Sequence, residues 1–384
     1  MADARRPTIR DVAATAGVSI QTVSRVTNGR PDVAPETISR VLEAIRQLGY
    51  TPNMLARGLT VGRSQVLGVV AYGLEYFGPS RTVSAIERRA AQLGYGISLT
   101  LILKPETDDV GAILDALRAR QVDGIIWAVP EVADNMAWSR TRGPQLPVPA
   151  MLVGMAGSSY LPSIGIDNTA IGRVATNHLL AGGVRNIGII TGPLNWREAR
   201  HRLAGWRGAM DATGRAVDEG LIVEGDWTVE SGEAAMYRLF AACPTIDAVF
   251  ASNDSMALGA LHAAHSIGRV VPDELSIVGV DNIAEASHFW PRLTTVDQPI
   301  TQEGSLAVDA IARLIDAERR SHRPDAEPEF TLLQPRLIVR DSARRPAQVP
   351  ASTETADPTT GANDPLEFAA AGQHRQAPGT TPRN

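Results

Sequence analysis

One cysteine and one lysine, Cys243 and Lys104, occur in 384 residues. A single thiol excludes an intramolecular disulfide and a multi-cysteine zinc site. Cys243 precedes Pro244, far along the chain from any candidate base, which fits a structural rather than a reactive role. Long apolar runs are missing too. None approaches the roughly 18 residues of a membrane-crossing helix, and Met1 to Arg10 lacks the apolar core of a secretory leader. The expected compartment is therefore the cytoplasm. The seven histidines show no H-E-x-x-H spacing. His262 and His265 stand three apart without a third ligand, so no metal is expected. No G-x-S-x-G elbow, P-loop or G-x-G-x-x-G follows a predicted strand, which argues against an enzyme and against a cofactor.

What remains is a globular composition, 44% hydrophobic and 21% charged, long enough for two or three domains. The net charge of −5 is unevenly spread. Residues 1–63 carry nine arginines against five acids, so they hold +4 and the other 321 residues hold −9. A small basic head on an acidic body is the footprint of a nucleic-acid-binding module joined to something else.

Four zones follow. Residues 1–50 read as three short helices and residues 51–63 as a link. Residues 64–341 alternate strand and helix signals. Residues 342–384, rich in Ala, Pro and Thr and broken by six prolines from Pro346 to Pro382, read as a disordered tail. Buried-strand runs in the long zone include Val66–Val70, Gly124–Trp127, Ile187–Ile190, Ala248–Ala251 and Leu275–Val280. Amphipathic helices are predicted over Arg81–Leu93, Val110–Arg120, Ile171–Ala181, Arg197–Thr213, Ser255–Ile267 and Gln302–Arg319. Short apolar strands alternating with helices indicate parallel sheets covered on both faces. About 280 residues of this pattern suit two doubly wound α/β lobes, whose ligands sit at the C-terminal ends of strands.

In the head, Thr8 suits a helix cap with Asp11 near the positive end of the dipole. Gly17 stops that helix and Ser19 caps the next, through Thr27. Two helices joined by a Gly-containing turn make a helix-turn-helix. On the second helix Gln21 and Arg25 share one face. Gln pairs with adenine and Arg with guanine in the major groove, and Ile20 and Thr22 suit thymine methyls. Ser24 and Asn28 suit phosphates, and Thr8 and Ser19 are further candidate contacts. On Gln21 and Arg25 alone, an ordinary helical hairpin with solvated polar residues is the better reading. A third helix spans Pro35 to Leu48, with Ile38, Val41, Leu42, Ile45 and Leu48 as its core stripe.

The ordered motifs are more specific. Thr8-Ile9-Arg10-Asp11-Val12-Ala13-Ala14-Thr15-Ala16-Gly17-Val18-Ser19, Gln21 to Gly29, Leu48-Gly49-Tyr50-Thr51-Pro52-Asn53 and Ala56-Arg57-Gly58-Leu59 resemble the LacI/GalR family of bacterial transcription regulators. The resemblance implies that Ile20, Gln21 and Arg25 read major-groove bases. It implies that Asn53 to Leu59 folds as a hinge helix on operator DNA, with Ala56 at the minor groove and Leu59 wedged into a base step. Gly58 and the shortness of the segment disfavour a free helix. Ala34 departs from the Ser or Thr the family often has before the third helix.

The body resembles the same family's periplasmic-binding-protein-like effector domain. Gly188 to Pro193, Arg202-Leu203-Ala204-Gly205-Trp206, Ser252 to Gly259, Val278 to Asn282 and Leu293 to Pro299 carry that likeness. The resemblance implies that Arg202, Asn253 and Asp281 hydrogen-bond an effector, that Trp227 stacks on it and that Gln298 lies near the lobe crossover. Tyr76, Phe77, Ser80 and Trp127 fall on segments that line the cleft of relatives. Asp254 reads instead as the cap of the following helix and Trp206 as core. Trp196 fits surface or cleft, and Asp281 alone also fits a turn. The implied protein is a homodimer on an inverted-repeat operator in duplex DNA, controlled by a small molecule, foremost a sugar or sugar derivative. The Pro-broken tail lacks the heptads of tetrameric relatives, which points to a dimer. A transport-linked sugar-binding protein would lack the DNA head. Effector identity and the sign of the response stay open.

Overall fold

The computed structural model describes residues 7–27, 30, 32–50, 63–106, 109–155, 157, 160–215, 217–320 and 328–345. The predicted hinge contacts Asn53, Ala56 and Leu59, together with Asn28 and nearly all of the predicted tail, lie outside them.

Three helices form the head: α1 (Ile9–Ala16), α2 (Ile20–Thr27) and α3 (Pro35–Leu48). Thr8 and Asp11 close a capping box at the start of α1. Gly17 then ends the helix at φ 63°, a conformation that costs glycine little. Ser19 Oγ accepts the Thr22 amide at the start of α2. Val12, Ala13, Ala16, Val23, Val41 and Ala44 meet as a small core. Ala34 leaves the start of α3 without a side-chain cap.

The first lobe begins with β1 (Val66–Ala71), α4 (Phe77–Gln92), β2 (Gly96–Leu101) and α5 (Val110–Ala119). It continues through β3 (Gly124–Ala128), α6 (Ala137–Thr141), β4 (Ala150–Val153) and β5 (Ser163–Ile166). The chain then crosses into α7 (Asn168–Ala181), β6 (Ile187–Thr191), α8 (Arg197–Asp211), β7 (Ile222–Glu224) and α9 (Val229–Ala242). The second lobe is completed by β8 (Ala248–Ala251), α10 (Asp254–Ser266), β9 (Ser276–Val280) and β10 (Thr294–Asp297). A return crossing places α11 (Ile300–Arg319) and β11 (Phe330–Leu333) on the first lobe, and a third brings β12 (Arg336–Ile338) to the second.

Each lobe holds one six-stranded sheet, ordered β11-β5-β4-β3-β1-β2 and β12-β10-β9-β8-β6-β7. All pairings are parallel except β12 against β10. The central strands are buried on both faces, which is why they read as continuous apolar runs. Helices cover those faces, so the strand ends are where side chains reach open space.

Two features differ from expectation. Ser342 and Ala343, assigned to the tail, are buried. Ser342 Oγ donates to the Ile277 carbonyl and accepts the Thr294 amide, so the ordered body runs to this point against β9. Asp254 is not the cap of α10. Asn253 takes that place, accepting the Met256 amide at 2.8 Å. The Asp254 carboxylate is buried instead, accepting the Ile283 amide and the Thr295 hydroxyl.

Candidate effector cleft and DNA-facing helix

Between the lobes lies a cavity of about 410 Å³. Two of the chain crossings contribute to it, through Asn168 and through Gln298 and Ile300, and loops after strands supply much of its wall. Arg202, from the second turn of α8, is 5% exposed. Its Nε donates to Asn168 Oδ1 at 2.8 Å and its Nη1 to the Ser252 carbonyl. The guanidinium lies 5.7 Å from the centroid of the Trp227 ring. Asp281 follows β9 and Gln298 follows β10, and Gln298 Nε2 donates to Asp281 Oδ1. Burial pushes the Asp281 carboxyl up to about 6, while Arg202 and Gln298 pull it down. Asn253 donates to the Trp227 carbonyl, which fixes the loop carrying that indole.

Trp227 rests on Gly192, where a Cβ would stand 2.0 Å from the ring. Any side chain at Gly192 would therefore displace the indole. Trp196, which the sequence left between surface and cleft, lines the cavity. It meets Tyr76 edge-on at 5.9 Å and Trp227 at 5.8 Å, so aromatic rings run from one lobe to the other. Tyr76 and Phe77 enter from the first lobe at the start of α4. The helix begins four residues before its predicted start, and that extension is what delivers both rings.

Tyr76, Phe77, Arg202, Trp227, Asn253, Asp281 and Gln298 all line the one cavity. Two candidates do not. Trp127 is 1% exposed and packs on Trp138 at 4.6 Å, because β3 is buried on both faces and this position turns to the α5 side. Ala128, the next residue, faces the cavity instead. Ser80 turns back onto its own helix, donating to the Phe77 carbonyl.

Sequence reasoning missed the acidic wall. Glu198 on α8 and Glu303 on α11 both line the cavity. Glu303 is 4% exposed, and its Oε1 and Glu198 Oε2 are enclosed without a hydrogen-bond partner. Burial raises both carboxyls, Glu198 to about 6 and Glu303 to about 8, and the negative charge of Glu198 pushes Glu303 further. A glutamate on an amphipathic helix looks solvated in sequence. Only the cavity, lined from α8 on one lobe and α11 on the other, puts these two together.

On the head, Ser19, Ile20, Gln21 and Arg25 are exposed while Val23 beneath them is buried. Arg25 pairs with Asp32 at 3.1 Å on the surface, worth about 1 kcal/mol or less. Thr22 shares a hydrogen bond with Ser19, and Ser24 is half-buried. The Thr8 hydroxyl donates to Asp11, so its side chain serves the helix cap.

Residues 8–53 match the family of bacterial regulatory proteins, lacI family, and residues 176–343 match a periplasmic binding protein-like domain. The HTH-type transcriptional repressor PurR of Escherichia fergusonii is 35% identical over 339 residues, 87% of this chain and 96% of that protein. The chain belongs to the LacI family. Among solved structures, a transcriptional regulator CelR–cellobiose complex is 32% identical with a TM-score of 0.64, covering 88% of this chain and all of that one. A lac repressor dimer bound to operator and the anti-inducer ONPF is 30% identical with a TM-score of 0.77, covering 88% and 99% of the two chains. LacI-family relatives of this kind are DNA-binding repressors, not enzymes.

Proposed function

We propose that this chain is a homodimeric transcription repressor that reads an inverted-repeat operator and senses a small molecule, foremost a sugar or sugar derivative, in the inter-lobe cavity. The carrying observation is the convergence of Arg202, Asp281, Asn253 and Trp227 on one inter-lobe cleft, in a chain that also presents an exposed polar helix face. Gln21 and Arg25 supply sequence choice through base edges, with Ile20 and Thr22 beside them. Ser19, Ser24 and Asn28 belong to the phosphate-facing set that sets register. Thr8 acts indirectly, by holding the start of α1. Asn53, Ala56 and Leu59 carry the hinge role that the family resemblance implies. Two heads on a twofold axis read two half-sites, which multiplies discrimination.

The effector acts through its different affinities for two lobe arrangements. Arg202 and Asp281 offer paired polar contacts for adjacent hydroxyls, and the Trp227 ring offers a face for an apolar side. The relatives' cellobiose and ONPF complexes support a carbohydrate-type ligand here. Binding-site selection followed by gel shifts tests the reading. Arg25→Ala should lose discrimination between selected and random duplex by roughly tenfold or more, the weight of one bidentate base contact. Equal loss on both duplexes would remove Arg25 as a base reader.

A further inference from the structure

The amide and guanidinium donors of the effector cavity are largely engaged within the protein. Arg202 spends Nε on Asn168 and Nη1 on the Ser252 carbonyl. The Gln298 amide is spent on Asp281, and the Asn253 amide on the Trp227 carbonyl. Three enclosed atoms on the lining have no partner, the Trp227 Nε1 donor and the carboxylate oxygens Glu198 Oε2 and Glu303 Oε1, so acceptors outnumber donors two to one. Charge is out of balance in the same direction. Among the described residues, Glu75, Glu198, Asp281 and Glu303 line the cavity against a single cation, Arg202. Glu131 nearby is already paired with Arg197 at 3.1 Å. Uncompensated buried carboxylates are costly and take up a proton instead, as Glu303 does, and a cation seated beside them can take that proton's place.

We propose that the effector carries a protonated nitrogen, as an amino sugar does, and that this ammonium seats between Glu198 and Glu303. The assignment rests on the cavity being the effector site. It adds the class of group the site demands. Glu303 from α11, on the first lobe, and Glu198 from α8, on the second, reach the same space. An ammonium donates three hydrogen bonds and accepts none, which answers two orphaned acceptors as a hydroxyl cannot. The rings of Tyr76, Phe77, Trp196 and Trp227 add cation–π attraction from their faces. Glu75, exposed at the rim, extends the negative field outward. The ammonium bridges the two lobes and favours the arrangement that brings both carboxylates to it. Arg202 Nη2 and Asp281 Oδ2, the atoms outside those internal bonds, hold the hydroxyls of the same ring.

The test uses the full chain and matched probes: D-glucosamine against D-glucose, D-galactosamine against D-galactose, and D-mannosamine against D-mannose. Tryptophan fluorescence reads binding through Trp196 and Trp227, and thermal shift checks it. The amine should bind at least about tenfold more tightly than its hydroxyl partner in one or more pairs. Glu303→Gln should erase that preference. Glu198→Gln, on a different helix, does the same if the first variant folds poorly. Amines with no advantage in any pair, or an advantage that survives both substitutions, would overturn the assignment. A neutral sugar that binds wild type and variants alike also overturns it, and leaves the sensor reading standing. An amine that seats in the cavity by these criteria yet leaves operator affinity unchanged supports the ammonium site and removes the sensor reading.

Discussion

Asp281 sits at φ 113° and Trp227 at φ 75°, both in the left-handed region that side chains rarely adopt. Such backbone costs on the order of 1–3 kcal/mol and persists only where surrounding structure holds it. Here Gln298 holds the Asp281 carboxylate, and Asn253 holds the Trp227 carbonyl. Two strained residues on one cavity wall are aimed, and the aim has a stability cost. The Asp281 side chain is the more exacting of the two. Replacing it by Asn keeps the shape and removes the charge, so a cavity ligand should bind at least about tenfold more weakly. Fluorescence titration of Asp281→Asn measures this, and unchanged affinity would take Asp281 out of ligand binding. A second residue-scale prediction concerns Ala34. With no side-chain cap on α3, Ala34→Ser should add about 0.5–2 kcal/mol to the head's stability, read by amide exchange in α3.

Pairs of helices decide how side chains reach the cavity. Helices α7 and α8 cross through Gly172 and Gly205, so closely that a Cβ on Gly205 would stand 2.1 Å from the Thr169 carbonyl oxygen. Because α8 carries both Glu198 and Arg202, spreading this crossing should move them together. Gly205→Ala should therefore destabilise by about 1–3 kcal/mol and weaken cavity ligands as well, measured by denaturant melts and titration. A melt identical to wild type would contradict the tight crossing. This is the scale at which the sequence was most readable. Long apolar runs marked β1, β3, β6, β8 and β9, and periodicity marked most helices to within a few residues. Short or half-exposed strands escaped: β2 alternates weakly at a sheet edge, and β7 and β12 have three residues each. Seven of nine cleft candidates converge because motifs fix positions at strand ends. Trp127 went astray because an aromatic within a strand has two faces to choose from, and neighbouring helices choose. Glu198 and Glu303 were invisible because their meaning is a juxtaposition of distant helices.

For the whole molecule, two buried carboxyls, Asp254 and Glu303, and two half-buried ones, Glu198 and Asp281, make stability depend on pH. Burial raises Glu303 and Asp254 to about 8, and Glu198 and Asp281 to about 6. Facing them are Arg202, Arg197 and Glu131 around Glu198, and Arg340 and Asp281 around Asp254, with Glu198 opposite Glu303. An acid whose folded value exceeds its ordinary one, 3.8 or 4.5 here, stabilises the fold while protonated. That stabilisation is whole below the ordinary value and is lost as pH rises through the folded value. The melting temperature of the ligand-free protein should therefore fall between about pH 5.5 and about pH 8.5, and Glu303→Gln should flatten the upper part. A melting temperature that climbs over this window would contradict the buried acidic wall.

The division of charge, +4 over residues 1–63 and −9 over the rest, matches a molecule whose ends do different work. In the proposed function one end meets a polyanion, and the other closes on a small molecule. The two must be coupled for the chain to regulate anything. Fluorescence anisotropy of a labelled, selected inverted-repeat duplex, titrated with the full chain with and without a cavity ligand, tests this coupling most directly. Operator affinity should change by about 5-fold or more on ligand binding, in wild type and not in Asp281→Ala, which should still bind operator. Operator affinity that stays the same while the cavity is saturated would contradict the account.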